Sequence, residues 1–393
     1  MIWARFSAAC LALCLGLLAA PPVRGAVDPA APPVRGAVDR DVFIVALRLP
    51  PDGDEAGVES QAAALAKQYG GEVHHIYASA LRGFSVSMSA EQAAELAADR
   101  RVATIEHNQV FTSQAAPWGL DRVNQRALPL DGIGVRGGSA AGVTAYVIDS
   151  GLRLSHSEFG GRARYGYDAV DSDLVAQDCY GHGTHVAGIL GGATYGVAKD
   201  VNLVGVRVLD CAGYGTTAEI VAGIDWVTGN AQRPAVVNIS LQSGRSSAID
   251  RAVRSSIATG IPYVVSAGNQ SADACEASPS GAREAITVGA TTRADERATF
   301  SNGGRCVDLF APGVAVESAW FTDDTSARSA SGTSMAAPHV SGAVALLLAT
   351  SPRATPADIA SVLLETSTRN VVSGLRRDTP NRLLYVGDTE PKL

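Results

Sequence analysis

A serine near the C-terminal end of the chain occupies a position suited to nucleophilic chemistry. Ser334 lies in SGTSMAAPHV, a small-residue turn that precedes the apolar stretch Ala343–Ala349 and predicts a helix beginning at this serine. The first N–H groups of a helix have no partner within it and the helix dipole is positive there, so a hydroxyl can develop negative charge at low cost. Pro338 comes early enough to be tolerated in the opening turns. Considered alone, the stretch fits an ordinary serine cap on a buried helix at least as well.

Three other polar residues could complete a nucleophilic site. Asp149 follows the apolar segment TAYVI, His182 opens a helix in GHGTHVAG, and Asn269 follows a strand in VVSAGNQ. In a triad of this chain order the imidazole takes the serine proton and the carboxylate fixes its tautomer. The Asn269 amide could donate to an oxyanion beside the Ser334 N–H.

Each of these residues also has a simpler interpretation. Asp149 could cap a helix, and Asn269 could form a turn. His182 and His185 could be zinc ligands, although no third ligand of suitable spacing is evident. The four polar residues together, in this order on one domain, favour the catalytic interpretation.

The elements that would position these residues alternate between apolar strands and helices. TAYVID, AVVNIS and IPYVVSA are apolar almost throughout, which indicates strands buried on both faces of a parallel sheet. The pattern predicts a doubly wound α/β domain, whose ligands bind beyond the C-terminal ends of the strands. Pro117 and Pro129 predict an irregular join over residues 111–142. The predicted strands are Val143–Ile148, Val201–Val208, Ala235–Ser240 and Ile261–Ser266, and the predicted helices are His185–Leu190, Thr217–Val227 and Ala248–Ala258.

A second, smaller domain is predicted over residues 41–110. The element order βαββαβ suggests a small α+β sandwich of the ferredoxin-like type. An unrelated N-terminal binding module is the alternative. The predicted strands are Val42–Leu49, Glu72–Tyr77, Gly83–Met88 and Val102–Glu106, with helices Glu59–Tyr69 and Ala90–Ala98.

The N-terminus predicts export. Residues 1–25 combine a positive charge, a short apolar run and a plausible cleavage site after Gly25, as in a secretory signal peptide. A lipoprotein anchored at Cys14 is the alternative, but Leu11-Ala12-Leu13 is a poor approach sequence for one. The octapeptide PPVRGAVD occurs at residues 21–28 and again at 32–39, so residues 26–40 predict a flexible linker.

Charge and cysteine content narrow the class further. A formal charge of -7 without a long basic run gives no reason to expect nucleic-acid binding. Outside the signal segment the chain has an even number of cysteines, which in an exported protein predicts two disulfides of undetermined pairing. A four-thiolate zinc site is disfavoured because no two of them are close in sequence. These cysteines are Cys179, Cys211, Cys275 and Cys306.

Several segments together resemble a known family. VIDSG, GHGTHVAG, SAGN and GTSMAAPHV resemble motifs of the subtilisin-like serine proteases (subtilases). APWGLDRV, QDCYGHGTHVAG, TYGVAK, VRVLDC and CVDLFAPG are similar to the proteinase K branch, especially its aqualysin-like bacterial enzymes. The resemblance runs from about Ala116 to Val386, and residues 41–110 look like the family's inhibitory propeptide.

The resemblance implies roles for individual residues. Asp149, His182 and Ser334 become the triad, with Asn269 and the Ser334 N–H as the oxyanion hole. His185 becomes a structural histidine. The cysteines match those of the aqualysin-like enzymes as the pairs Cys179–Cys211 and Cys275–Cys306.

Two segments match those that hold the substrate backbone as an added β-strand in the family. They are Gly213, Tyr214 and Gly215, and Ser240, Leu241 and Gln242. Relatives usually continue this leucine with glycines, whereas Gln242 carries a side chain. We therefore expect reduced tolerance of a large P1 residue, the residue on the acyl side of the cleaved bond.

Calcium is the cofactor that the resemblance implies. Asp308 matches the carboxylate of the family's strong calcium site, with the backbone carbonyls of Arg283 and Ala285 beside it. A second set resembles a further site of some relatives, although Ile133 replaces an oxygen ligand there. Hard oxygen ligands suit calcium, whereas the alternative is surface aspartates that cap loops. The second set is Asp121, Asn124, Gln125 and Asp131.

These observations together predict a secreted serine endopeptidase made as a self-processing zymogen. Its expected partners are protein or peptide substrates and its own propeptide, with no membrane association after signal removal and a monomeric state. The peptidase domain would span residues 111–386, with cleavage near Val110–Thr112 and a tail of 387–393. The alternatives are a non-catalytic binding protein on the same scaffold, or an esterase.

Overall fold

The computed structural model describes residues 42–48, 55–79, 81–108, 116–135 and 139–387. The chain divides into two compact units, with the boundary between residues 112 and 113. The predicted signal peptide (1–25), the linker (26–40), the expected cleavage site near 110–112 and residues 388–393 of the tail lie outside the described residues.

The N-terminal unit is an antiparallel sheet with two helices. The sheet order is β2-β3-β1-β4, so the first strand lies inside the sheet between β3 and β4. Val45, Phe84 and Val86 pack against Leu65 and Leu96 of the helices. The predicted βαββαβ arrangement is confirmed. The elements are β1 (Val42–Leu47), α1 (Glu55–Tyr69), β2 (Glu72–Tyr77), β3 (Gly83–Ser87), α2 (Ala90–Ala97) and β4 (Val102–His107).

The C-terminal unit is built around one large sheet of nine strands in the order β16-β17-β13-β12-β10-β8-β5-β7-β6. All neighbouring pairs are parallel except β16 with β17. The elements in chain order are α3 (Trp118–Asn124), β5 (Thr144–Asp149), β6 (Ala163–Asp168), α4 (His182–Gly191), β7 (Asn202–Arg207), α5 (Thr217–Asn230), β8 (Ala235–Ile239), β9 (Ser243–Gly244), α6 (Ser247–Ala258), β10 (Tyr263–Ser266), β11 (Ala277–Ser278), β12 (Ile286–Thr291), β13 (Leu309–Pro312), β14 (Val316–Ala319), β15 (Ala327–Ala330), α7 (Thr333–Thr350), α8 (Pro356–Thr366), β16 (Thr368–Arg369) and β17 (Arg382–Leu383). The predicted doubly wound, mostly parallel α/β fold is confirmed.

Strand order reverses direction beside β5. On one side of β5 the chain first forms the edge strand β6 and then β7 between β6 and β5; on the other side it continues outward through β8, β10, β12 and β13. In open parallel sheets the crevice at such a reversal, beyond the C-terminal strand ends, is where ligands bind. Asp149 is the last residue of β5 and therefore lies at this crevice.

Both faces of the sheet are covered, which explains the apolar strands. Val147 and Val236 pack with α4 and α7 on one face, whereas Ile148 and Val237 pack with α5 and α6 on the other. Successive strand residues point to opposite faces, so a strand covered on both sides is apolar at most of its positions.

Helix α7 passes through the core and begins at the candidate nucleophile. It is long and apolar enough to suit a membrane span by composition, but 83% of that window is buried within the unit, as in a core helix. Pro338 lies inside the helix and has no N–H to donate to the Ser334 carbonyl one turn earlier. The Ser240 hydroxyl donates to that carbonyl instead, at 3.0 Å. The proline is therefore accommodated without an orphaned acceptor.

The structure differs from the predicted elements in two respects. Helix α3 forms where an irregular join was expected, because Pro117 occupies its N-cap position and does not interrupt it. Helix α8 and several strands, among them β6, β12 and β13, were not predicted. Strand β6 is the edge strand of the sheet and is only partly buried, so its segment ARYGYD shows no apolar period.

Candidate active site

Asp149 and His182 come together at the crevice. The Nδ1–H of His182 donates to Oδ1 of Asp149 at 2.7 Å, and the Ser150 N–H donates to the same oxygen at 2.8 Å. The Asp149 side chain is fully buried, whereas that of His182 is 22% exposed. With Nδ1 engaged as a donor, Nε2 has its lone pair available to accept a proton.

The surroundings of His182 favour its charged form. Burial alone lowers the pKa of His182, but the charge and hydrogen bond of Asp149 and the charge of Asp178 outweigh it, so the pKa lies above its ordinary value. An imidazole with such partners can accept a proton during a reaction and hold it as a stabilised cation.

Asp178 fixes the start of the helix that carries His182. The N-cap residue of α4 is Gly181, which has no side chain to cap the helix. Asp178 supplies the missing acceptors: Oδ1 accepts from the N–H of Gly181 at 2.7 Å and from the Ser150 hydroxyl at 2.9 Å, and Oδ2 accepts from the Thr184 N–H at 2.9 Å. Asp178 was not among the site residues predicted from the sequence. The signal was an aspartate shortly before a helix whose own cap position is glycine.

Ser334 is the second residue of α7, as its sequence context predicted. Its hydroxyl donates to the carbonyl of Ser240 at 2.9 Å, while the Ser240 hydroxyl donates back to the Ser334 carbonyl. Among the hydrogen bonds of the described residues there is none between Ser334 and His182. The structure therefore shows the serine hydroxyl held by the carbonyl of the residue that follows β8.

Two N–H donors converge beside Ser334. The side-chain oxygen of Asn269 accepts from the N–H and the hydroxyl of Thr333, both at 2.9 Å, which fixes the direction of its NH2 group. A Cβ placed on Gly332 would lie 3.4 Å from Asn269 Nδ2 and 3.6 Å from Ser334 N. Glycine leaves this space empty, so both donors can reach an oxygen placed between them.

The two predicted substrate segments differ in what they expose. Gly213 has a φ of +82°, and a Cβ there would lie 2.6 Å from the Tyr180 ring, so only glycine fits. Tyr214 is 77% exposed. A Cβ on Gly215 would lie 2.2 Å from the Val208 carbonyl. Ser240 and Leu241 follow β8 and bring their carbonyls toward α7 and β10, respectively.

Both disulfides form with the pairing that the resemblance implies. Cys179 is bonded to Cys211 and Cys275 to Cys306. The first disulfide joins the loop before His182 to the loop before Gly213, with the Arg207 guanidinium 3.7 and 3.9 Å from its two sulfurs.

His185 lies one turn beyond His182 but has a different environment. It is fully buried, and its Nε2–H donates to the carbonyl of Arg328 at 2.8 Å. Burial lowers its pKa to about 4, so it is neutral at physiological pH. A neutral, buried imidazole committed to a carbonyl is suited to a structural role and not to that of a second base.

Asp308 lies directly before β13, beside the start of β12. Its Oδ2 accepts from the Thr287 N–H at 2.8 Å, and burial raises its pKa to about 6. It has no ion-pair partner among the described residues. Arg283 and Ala285 lie in the turn that leads into β12, so their backbone is close in sequence to Thr287.

The second candidate calcium set is close together but internally bonded. The Asp121 carboxylate is buried and accepts from the N–H of Asp131 at 3.3 Å and of Gly132 at 2.9 Å. Gln125 accepts from the Asp131 N–H through its side-chain oxygen, and Asn124 donates to the carbonyls of residues 133 and 134. No group of three or more His, Cys, Asp or Glu side chains able to hold a metal ion occurs in the described part of the chain.

Comparison with known proteins identifies the family of the chain. Residues 140–382 match the model of the Subtilase family, and residues 42–114 match Peptidase inhibitor I9. The chain is 53% identical over 333 residues to an extracellular serine proteinase of Thermus sp., covering 84% of this chain and 81% of that protein. It is 45% identical over 327 residues to alkaline serine exoprotease A of Vibrio alginolyticus, covering 81% of this chain and 61% of that protein. The crystal structure of a cold adapted subtilisin-like serine proteinase matches with a TM-score of 0.68 and 51% identity, covering 69% of this chain and 98% of the other.

The fold, the site and these comparisons define a serine peptidase with an N-terminal inhibitor domain. The chain belongs to the subtilase family, which confirms the resemblance seen in the sequence. It is a subtilisin-type serine endopeptidase made as a zymogen, whose propeptide is an intramolecular inhibitor and whose substrates are proteins.

Proposed function

We propose that Asp149, His182 and Ser334 carry out the peptidase reaction, with Asn269 Nδ2 and the Ser334 N–H as oxyanion donors. The observation that carries this proposal is the 2.7 Å bond from His182 to buried Asp149, at the crevice where strand order reverses. It leaves Nε2 as the acceptor, and the raised pKa of His182 makes proton uptake favourable.

The reaction follows from these positions. The Ser334 hydroxyl leaves the Ser240 carbonyl and gives its proton to His182 Nε2 as Oγ attacks the substrate carbonyl carbon. The oxygen of that carbonyl becomes negative between Asn269 Nδ2 and the Ser334 N–H, which stabilise it. His182 then protonates the leaving amine, and the C–N bond breaks to give an acyl-enzyme on Ser334. Water, deprotonated by His182, hydrolyses the ester and restores the hydroxyl.

Casein hydrolysis by an Asp149→Asn variant tests these roles. The amide presents the wrong group to His182 Nδ1, so kcat should fall by about 10⁴ while KM changes little. Because such a variant cannot process itself, its propeptide is removed by wild-type enzyme that is afterwards withdrawn. Ser331→Ala serves as a matched control, since Ser331 is exposed and its hydroxyl, among the described residues, bonds only the Ala315 N–H. Wild-type kcat in Asp149→Asn would contradict the assignment.

We propose further that the enzyme is secreted and acts as a monomer. The curated relatives compared above include one named as extracellular. On this proposal residues 1–25 direct export and are removed, and 26–40 form a linker. The domain of residues 41–110 is cut off near 110–112, leaving a peptidase of 111–386 and a tail of 387–393. N-terminal sequencing of the secreted protein should give a start close to residue 112, and a start before residue 41 would contradict it.

We propose a structural calcium ion at Asp308 with the carbonyls of Arg283 and Ala285. The Asp308 carboxylate is half-buried, makes no ion pair among the described residues and lies beside a backbone turn, which together give a set of hard oxygen donors that suits calcium. Bound there, calcium would supply charge compensation and rigidity. The set around Asp121 supports a second ion less well, because backbone N–H groups already occupy its carboxylate.

A further inference from the structure

The oxyanion donors fix where the P1 residue of a substrate begins, an argument that rests on the proposed function. An oxygen between Asn269 Nδ2 and the Ser334 N–H has its own residue's Cα about 2.4 Å away, from the standard C=O and Cα–C bond lengths. Ser334 Oγ, which must reach the carbonyl carbon, lies 2.9 Å from the Ser240 carbonyl. The P1 side chain therefore starts beside the chain segments that follow β8 and β10.

Gln242 covers the space between these two segments. A Cβ placed on Gly268 would lie 2.1 Å from Nε2 and 2.2 Å from both Cδ and Oε1 of Gln242. The amide plane therefore lies against the open face of Gly268, directly before Asn269. The Ser266 hydroxyl donates to the Leu241 carbonyl at 3.3 Å, which keeps the two segments side by side.

The backbone at Gly268, on one side of this space, is held by a hydrogen bond, whereas the Gln242 side chain on the other side is held only by packing. Gly268 has a φ of +101°, and its N–H donates to the Thr333 hydroxyl at 3.0 Å. The Gln242 side chain is half-buried, and its amide makes no hydrogen bond with the described residues. A substrate side chain larger than the remaining space must therefore displace the amide from Gly268.

We propose that Gln242 closes the P1 pocket over Gly268 and so restricts cleavage to bonds that follow small residues such as alanine or serine. The closure results from the volume of the Gln242 side chain. A difference of one or a few methylene groups in a pocket typically changes the ratio of the kcat/KM values for two substrates by about 10- to 200-fold. Opening the pocket should produce a change of this size.

The test uses peptides that differ only in the P1 residue, alanine or phenylalanine. Gln242→Gly should raise the ratio of kcat/KM for phenylalanine to kcat/KM for alanine by about tenfold or more. The ratio is independent of the amount of active enzyme, so a partly folded or slowly maturing variant still gives a valid result. An unchanged ratio would overturn the proposal.

Two further variants distinguish volume from other effects. Gln242→Met keeps the length of the side chain without its amide and should retain the low ratio; a ratio equal to that of Gln242→Gly would overturn the proposal. Ser243→Gly is the control, because within the described part of the chain its hydroxyl bonds only the Gly244 carbonyl, and its ratio should match the wild type. If the wild-type enzyme cleaves neither peptide nor casein, the proposed function itself fails. Cleavage of casein with an unchanged ratio in Gln242→Gly overturns the P1 proposal alone.

Discussion

Removal of the Cys179–Cys211 disulfide should lower both stability and activity. The bond closes a loop of 32 residues, and the chain-entropy relation gives about 3.7 kcal/mol of stabilisation for a loop of this length. In a domain of this size the loss corresponds to a fall in Tm of about 7–15 °C. Cys179 lies three residues before His182 and Cys211 two residues before Gly213, so both loops gain freedom beside the site. We expect a higher KM and a lower kcat for peptides.

The Cys275–Cys306 disulfide is a matched control within the same chain. It closes a loop of 31 residues, so its removal should cost about the same 3.7 kcal/mol. Its effect on kcat and KM should be small, because the loop of Asn269 is held separately. The Asn302 side chain accepts from the N–H groups of Gln270 at 3.1 Å and Ala272 at 2.8 Å.

Both pairs are changed to serine and compared at the same calcium concentration. Tm is measured by calorimetry at one scan rate in a Ser334→Ala background, which prevents self-digestion, and kinetics are measured with Ser334 intact. The reasoning fails if the two double variants lose activity equally, or if either leaves Tm unchanged.

Three further predictions follow from charged groups. Arg122 is fully buried and donates to Asp295 at 2.6 and 2.9 Å. Arg122→Met should therefore lower the free energy of unfolding by about 3–5 kcal/mol, and adding Asp295→Asn should recover much of this loss. An unchanged Tm in the single variant would contradict this prediction. The negative charge of Asp178 helps raise the pKa of His182, which must be neutral to act as a base. Asp178→Asn should therefore move the acid limb of the pH profile of kcat/KM to lower pH. An acid limb that does not move would count against His182 as the base. Burial raises the pKa of Asp308 above its unfolded value of 3.8 to about 6, so without calcium the fold loses stability as pH rises through this interval. Stabilisation by added calcium should therefore be greater at about pH 8 than at about pH 5 and absent in Asp308→Asn, and equal stabilisation at both pH values would oppose calcium binding there.

The layers of the fold were predictable from the sequence because the two signals that indicate them, apolar runs in strands and capping residues at helix starts, are local. Strands buried on two faces are mostly apolar, as AVVNI of β8 is at every position except Asn238, and helix starts carry their own capping residues. Thr216 with Glu219 forms a capping box at the start of α5, a predicted helix. Thr355 with Asp358 forms the same motif at the start of α8, which was not predicted. Strand β6, part of which lies at the sheet edge, and the short helix α3 lack such signals, and neither was predicted.

The site was predictable only in part, for a related reason. Asp149 and Ser334 stand at the ends of recognisable elements, so their neighbourhood follows from the fold class. The exchange of hydrogen bonds between Ser240 and Ser334 joins residues 94 apart in sequence, and no local pattern predicts it. The capping role of Asp178 and the position of Gln242 over Gly268 likewise depend on tertiary packing.

Reaction of the processed enzyme with a fluorophosphonate, followed by mass spectrometry of the labelled peptide, tests the central claim most directly. A serine activated by His182 and flanked by oxyanion donors should attack phosphorus and carry one covalent label, at Ser334. Ser334→Ala, processed in trans, should take up no label, whereas Ser331→Ala should be labelled like the wild type. Labelling at a different serine, or none in processed wild-type protein, would contradict the assignment of Ser334 as the nucleophile.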